Sequence, residues 1–192
     1  MQRQTRRTDP RATLLTAPTI NEFDKKHYLK GAEEFPRSRW WRQRIMPTYS
    51  KAAVDVFTGS SANLANASMS LGNSRLGQFF LHGVSDYTRT RPAGLALAAS
   101  PGAESGILWS EEVETLTLPE YVILTSCGSA RSTLRKGDPG ANHLGGAILK
   151  TGSRAVALSP ANLHTDATLE VNLYLHVVLL GALSSERSTR SP

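Results

Sequence analysis

The chain has 192 residues, of which 40% are hydrophobic and 20% are charged, and its formal net charge is +6. This composition is ordinary for a globular protein and excludes a wholly disordered or collagen-like chain. Its single cysteine, Cys127, excludes an intramolecular disulfide framework and a multi-cysteine zinc site. Because no apolar run reaches the roughly 18 residues of a membrane span, we expect a soluble cytoplasmic domain with no metal, cofactor or membrane partner.

The positive charge is concentrated in the first quarter of the chain. Residues 1–51 contain 12 Lys and Arg against 5 Asp and Glu, whereas residues 52–192 carry a slight negative charge. The stretch from Arg37 to Arg44 alternates arginines with Trp40 and Trp41. Such a pattern suits stacking on nucleic-acid bases, or an extension whose tryptophans cap the core while its arginines stay solvated. We favour the second interpretation, assign residues 1–51 to a basic N-terminal extension and do not expect nucleic acid as a partner.

After residue 51, predicted strands and helices alternate along the chain. Short apolar runs that end near Gly or Ser predict strands at Ala52–Phe57, Gln78–His82, Gly94–Ala99, Gly106–Trp109, Tyr121–Thr125 and Arg154–Leu158. Capping residues and helical spacing predict helices at Leu64–Leu71, Ser110–Leu116, Ala141–Lys150 and Asp166–Leu180, and a flexible tail over residues 184–192. This alternation indicates an α/β fold with a mainly parallel sheet and helices on both faces.

Two of the predicted strands end in residues suited to nucleophilic catalysis. One ends in His82-Gly83 and another is followed by Ser126-Cys127-Gly128. Sites in open α/β sheets form beyond the carboxyl ends of the strands, so neighbouring strands would bring an imidazole and a thiol to one edge. The imidazole can deprotonate the thiol and later protonate a leaving amine. Taken alone, a cysteine after a buried strand is more often a small core residue.

The motifs resemble those of the CHAT domain, a branch of the caspase-like (clan CD) cysteine peptidases related to separase. The resemblance covers about residues 76–183, and the spacing of its His and Cys motifs is close to the roughly 50 residues of caspases. It rests on the following segments, in the order of the family: Phe79–Asp86, Gly106–Leu108, Tyr121–Ala130, Gly145–Val156 and His164–Thr168.

The resemblance implies a caspase-like three-layer sandwich over residues 52–183, with a catalytic dyad. Cys127 would be the nucleophile and His82 the general acid and base, while the amides of Gly83 and Cys127 would form the oxyanion hole. It also implies that Asp166 helps to bind a basic P1 side chain. The alternative for Asp166 is an acid that caps or favours the first turn of a helix.

The implied function is a cysteine endopeptidase that cleaves peptide bonds through a thioester intermediate. Its partners would be a protein or peptide substrate and regulatory modules on other chains. The alternative is a catalytically silent interaction or regulatory scaffold of the same fold. This alternative is motivated by Ser159-Pro160-Ala161-Asn162, which stands where the family usually has a Leu-Trp pair.

Overall fold

The computed structural model describes residues 11–30, 38–49, 54–85, 93–126, 144–158 and 165–188, with only the backbone for residues 38–39, 165–166 and 184–188. The strands are β1 (Ala12–Pro18), β2 (Val54–Gly59), β3 (Leu76–Phe80), β4 (His82–Val84), β5 (Gly94–Ala96), β6 (Ile107–Trp109), β7 (Tyr121–Thr125) and β8 (Ala155–Ala157). The helices are α1 (Glu22–His27), α2 (Ser38–Ile45), α3 (Leu64–Gly72), α4 (Ser110–Val113), α5 (Leu144–Lys150) and α6 (Thr165–Ser188). A short 3₁₀ turn, Met46–Thr48, follows α2.

The main sheet has five strands in the order β2-β1-β3-β7-β8, and all of their pairings are parallel. Side chains that alternate along these strands enter two separate cores. Leu15, Phe79 and Leu124 face the core formed with α3, α4 and α5. Leu14 and Ile123 face the core formed with α2 and α6. The predicted α/β fold, with a mainly parallel sheet between two helical layers, is therefore confirmed.

Strand β1 lies in the stretch that the sequence analysis assigned to an N-terminal extension. It pairs with β2 on one side and β3 on the other, so it is an interior strand of the main sheet. Its buried Thr13 is satisfied because its hydroxyl bonds those of Ser70 and Ser74, each at 2.7 Å. The sequence pattern does not indicate this strand, because basic residues flank it and threonines interrupt its apolar residues. Strand β1 therefore belongs to the domain, and the main sheet contains strands from both sides of the expected boundary at residue 51.

A second, antiparallel sheet is formed by β4, β5 and β6. The predicted strand Gln78–His82 is in fact divided, because β3 ends at Phe80 and β4 begins at His82. Between them, the amide of buried Leu81 donates to the carbonyl of Thr125 at 3.2 Å. The chain thus leaves the main sheet next to the end of β7 and carries His82 into the small sheet.

Helix α6 is longer than expected, because its backbone is helical as far as Ser188. The prediction of a flexible tail over residues 184–192 is therefore wrong for residues 184–188, which are helical. On its inner face, buried Leu169 joins the core beneath the sheet. The helix thus runs along the same layer as α2, where Arg44 of α2 pairs with Glu170 at 3.0 Å.

The amino edge of the main sheet is closed by ion pairs around Glu120. Its carboxylate contacts the guanidinium groups of Arg75 at 2.8 Å and Arg154 at 2.7 Å. Partial burial raises the pKa of Glu120, but hydrogen bonds from Arg154 and Arg75 and their charges outweigh it, so the pKa is lowered from 4.5. These pairs join the starts of β3, β7 and β8 at the edge opposite to the predicted site.

Candidate active site

Strands β3 and β7 are parallel neighbours that end at the same edge of the main sheet. Their register pairs Phe80 with Thr125, the last residue of each strand. Along the chain, His82 comes two residues after Phe80, and Cys127 comes two residues after Thr125. Cys127 itself lies outside the described residues, as does the stretch that follows it to residue 143. The structure therefore brings the chain that bears His82 beside the end of β7, the strand that leads to Cys127.

His82 is the first residue of β4, and it is half-buried. In the small sheet it stands opposite Ala96, and Gly83 stands opposite Leu95. The predicted general acid and base, His82, and the predicted oxyanion donor, Gly83, thus lie on a short strand that starts at the carboxyl edge of the main sheet. Asp166 is the second residue of α6, and its side chain lies outside the described residues.

The small sheet is held to α1 by a buried carboxylate. One oxygen of Asp24 accepts from the hydroxyl of Ser105 at 2.6 Å, and the other accepts from the amide of Gly106 at 2.7 Å. Gly106 leaves no room for a side chain, because a Cβ there would lie 2.3 Å from the carbonyl oxygen of Leu97. Asn21 adds a second link by donating to the carbonyl of Glu104 at 2.8 Å. Helix α1 therefore fixes the β5–β6 connection of the sheet whose first strand carries His82.

The side chain of Thr125, at the end of β7, is part of a buried hydrogen-bonded network. Its Oγ1 accepts from Nε2 of Gln78 in β3 at 2.8 Å and donates to Oδ1 of Asn172 in α6 at 2.9 Å. Nδ2 of Asn172 in turn donates to the carbonyl of Thr168 at 2.9 Å. The network therefore links the carboxyl end of β7 to a neighbouring strand and to a helix.

The same network continues through His176, which is 0% exposed. Its Nε2 bonds Oε1 of Gln78 at 2.9 Å, and its Nδ1 bonds the hydroxyl of Tyr49 at 2.5 Å. Burial lowers the pKa of His176 to about 3, so its imidazole is neutral at physiological pH. Burial likewise raises the pKa of Tyr49 well above its usual value. No pattern in the sequence indicated this network.

At the end of β7, the hydroxyl of Ser126 is buried without a hydrogen-bond partner among the described residues. The hydroxyl of Thr16, at the same edge in β1, is also buried and unpartnered within that part of the chain. A buried unpaired hydroxyl costs about 1–3 kcal/mol. No signal in the sequence distinguished Thr16.

The two tryptophans of the basic stretch have different environments. Trp41 is 1% exposed, and its ring stacks on Phe80 at 5.3 Å between centroids. Trp40 is 42% exposed, with the guanidinium of Arg44 4.7 Å from its ring centroid. Trp41 therefore covers the sheet, as the core-capping interpretation expected. Its buried ring has no face available for a nucleic-acid base.

Of the three other histidines, only His27 lies within the described residues. His143, His164 and the Ser159–Asn162 segment lie outside the described residues. His27 lies on α1, where its Nδ1 bonds the carbonyl of Phe23 at 2.8 Å. No helix within the described residues is both long and apolar enough to cross a membrane.

Comparison with known proteins identifies the family of the chain. A search of curated proteins found no match. A family model described as the CHAT domain matches residues 2–189, which is nearly the whole chain and includes β1 as well as both sequence motifs. The parallel sheet, its two helical layers and this match together show that the chain belongs to the CHAT domain family, a caspase-like family of clan CD.

Proposed function

We propose that the chain is a cysteine endopeptidase in which Cys127 is the nucleophile and His82 the general acid and base. The observation that carries this proposal is the register of β3 and β7. Phe80 is paired with Thr125, so His82 and Cys127 follow paired positions at equal distance along the chain. The membership of the CHAT family supports the same assignment.

The proposed reaction has two stages. His82 takes the proton of the Cys127 thiol, and the thiolate attacks the peptide carbonyl carbon to form a tetrahedral oxyanion. The amides of Gly83 and Cys127 donate to that oxyanion. When the C–N bond breaks, His82 gives its proton to the leaving amine, and a thioester remains. Water, deprotonated by His82, then attacks the thioester and releases the carboxylic acid and the free thiol.

We propose further that Asp166 contributes to the binding of a basic P1 side chain. Its place in the first turn of α6 is also one where a carboxylate stabilises the helix dipole. Asp166→Asn separates the two roles. A substrate role predicts a higher KM for peptides with Arg at P1 and an unchanged KM for peptides with Leu there. A helix role alone predicts lower stability with the same KM for both.

Because Cys127 is the only cysteine in the chain, its reactivity can be measured without knowledge of the substrate. The rate of its alkylation by iodoacetamide at pH 7 should fall in His82→Ala, since the thiol loses its base. The matched control is His27→Ala, which removes a histidine from α1 and should leave the rate unchanged. Equal rates for the wild type and His82→Ala would contradict the dyad.

Hydrolysis provides the second half of the test. Cleavage of an unfolded protein such as reduced casein should be lost in Cys127→Ala and in Cys127→Ser. A folded protein that cleaves no peptide, and whose thiol reacts independently of His82, would favour the alternative, a silent scaffold that binds regulatory modules of other chains.

A further inference from the structure

The hydrogen bonds around Thr125 have only one consistent direction. The carbonyl of Thr168 can only accept, so Nδ2 of Asn172 must donate to it, and Oδ1 of Asn172 is left to accept. The hydroxyl of Thr125 therefore gives its proton to Asn172. Because that proton is used, its oxygen accepts from the amide nitrogen of Gln78. Each donor in this part of the network therefore meets an acceptor.

The same assignment of donors and acceptors extends to His176 and Tyr49, at the other end of the network. With its nitrogen donating to Thr125, Gln78 presents its oxygen to His176, whose Nε2 must then carry the proton. Nδ1 of His176 accepts from the hydroxyl of Tyr49. In this pattern the imidazole is neutral, with its proton on Nε2. A buried network in which every member is satisfied rigidifies the groups that it joins.

We propose that Gln78 and Asn172 are positioning residues, which hold the carboxyl end of β7 in place through the hydroxyl of Thr125. Gln78 approaches from β3, the strand that leads to His82, and Asn172 approaches from α6. The end of β7 is thus fixed from two directions, two residues before Cys127. This inference rests on the proposed function, because it gives the network the task of setting the nucleophile relative to its base.

The alternative is that the network only stabilises the core. In that case any change at Thr125 that costs equal stability should have an equal effect on the site. Thr125→Val and Thr125→Ser distinguish the two roles. Valine keeps the shape but removes the hydroxyl, whereas serine keeps the hydroxyl and removes a methyl group from the core.

The experiment measures alkylation of Cys127 by iodoacetamide and the kcat and KM of peptide hydrolysis in the full-length variants. Thr125→Val should lower the alkylation rate and kcat by roughly 10- to 100-fold, since a displacement of about 1 Å can cost about 10²-fold. Thr125→Ser should rescue both, and KM should change little in either variant. Equal effects of valine and serine, or no effect of valine, would overturn the inference.

Two further variants control for losses of stability and of folding. Tyr49→Phe removes a buried hydroxyl from the far end of the network, so it should lower stability without slowing alkylation. If Thr125→Val does not fold, Asn172→Leu removes the same hydrogen bond from the helix side and should also slow alkylation. An Asn172→Leu protein that folds and alkylates at the wild-type rate would overturn the inference.

The outcomes separate this inference from the dyad. If His82→Ala slows alkylation and Thr125→Val does not, the dyad stands and the inference is refuted. If Thr125→Val slows alkylation and His82→Ala does not, the network positions the thiol, but the proposed peptidase mechanism is refuted.

Discussion

His176 gives the fold a dependence on acid that can be measured without a substrate. The imidazole is 0% exposed, and both of its nitrogens are used by neutral partners, Gln78 and Tyr49. Burial lowers its pKa from 6.5 to about 3. When the protein unfolds, the imidazole regains its ordinary affinity for protons. Acid therefore binds to the unfolded chain and favours it.

The size of the effect follows from this difference in pKa. Between pH 7 and pH 5 the folded imidazole stays neutral, while the unfolded one becomes almost fully protonated. Linkage then predicts that His176 removes about 2 kcal/mol from the free energy of unfolding over this interval. This loss of unfolding free energy begins as the pH falls through 6.5, the ordinary pKa of the imidazole, and it ends near the folded pKa of about 3.

The assay is urea unfolding followed by tryptophan fluorescence at several pH values from 7 to 5. His176→Gln should be less stable than the wild type at pH 7, by about 1–3 kcal/mol, because it disturbs buried hydrogen bonds. Its free energy of unfolding should fall less as the pH is lowered. The difference between the variant and the wild type should therefore shrink by about 2 kcal/mol between pH 7 and pH 5. His27→Gln is the matched control, because it removes a histidine of α1 that bonds Phe23 and lies outside this network. Parallel curves for His176→Gln and the wild type would refute the reasoning.

Three further predictions concern the small sheet and the amino edge. Asp24→Asn should lower the free energy of unfolding by about 1.5–3 kcal/mol in urea titrations, because one acceptor for Ser105 or Gly106 becomes a donor; a change within the error of the titration would contradict it. Gly106→Ala should cost at least about 1–3 kcal/mol by the same measurement, since its Cβ would meet the Leu97 carbonyl at 2.3 Å. Glu120→Gln should cost roughly 1 kcal/mol at pH 7. Because the folded pKa of Glu120 is lowered from 4.5, that difference should shrink below pH 4.5 in unfolding curves, and a constant difference would count against the ion pairs.

Local patterns were enough to predict most elements of the main sheet. The β-branched run at β7 has the bounds predicted for it, because a strand covered on both faces is a continuous apolar segment. Asn63 is the N-cap of α3, and its side chain accepts from the amide of Asn66. Gly152, with a φ of +96°, follows α5 as a helix-ending glycine. These features depend on neighbours in the chain, which the sequence shows directly.

Other features could not be predicted because their partners are distant in the chain. The buried polar side chain of Thr13 is acceptable only once Ser70 of α3 and Ser74, just after that helix, supply hydroxyl groups to it. Asp24 looked like one charge among many in a basic extension, yet it is buried against Gly106. Nothing near either residue in the sequence indicates the group that satisfies it.

The sequence by itself determined the class of fold and the order of its motifs, and it suggested His82 and Cys127 as the catalytic residues that we propose. His82-Gly83 and Ser126-Cys127-Gly128 are local patterns that can be recognised without coordinates. Only the tertiary structure decided that β3 and β7 are neighbours with Phe80 opposite Thr125. It also decided which buried groups support the end of β7. The reason is physical: strand pairing and buried hydrogen bonds join residues far apart in the chain, whereas periodicity and capping report only on residues a few positions apart.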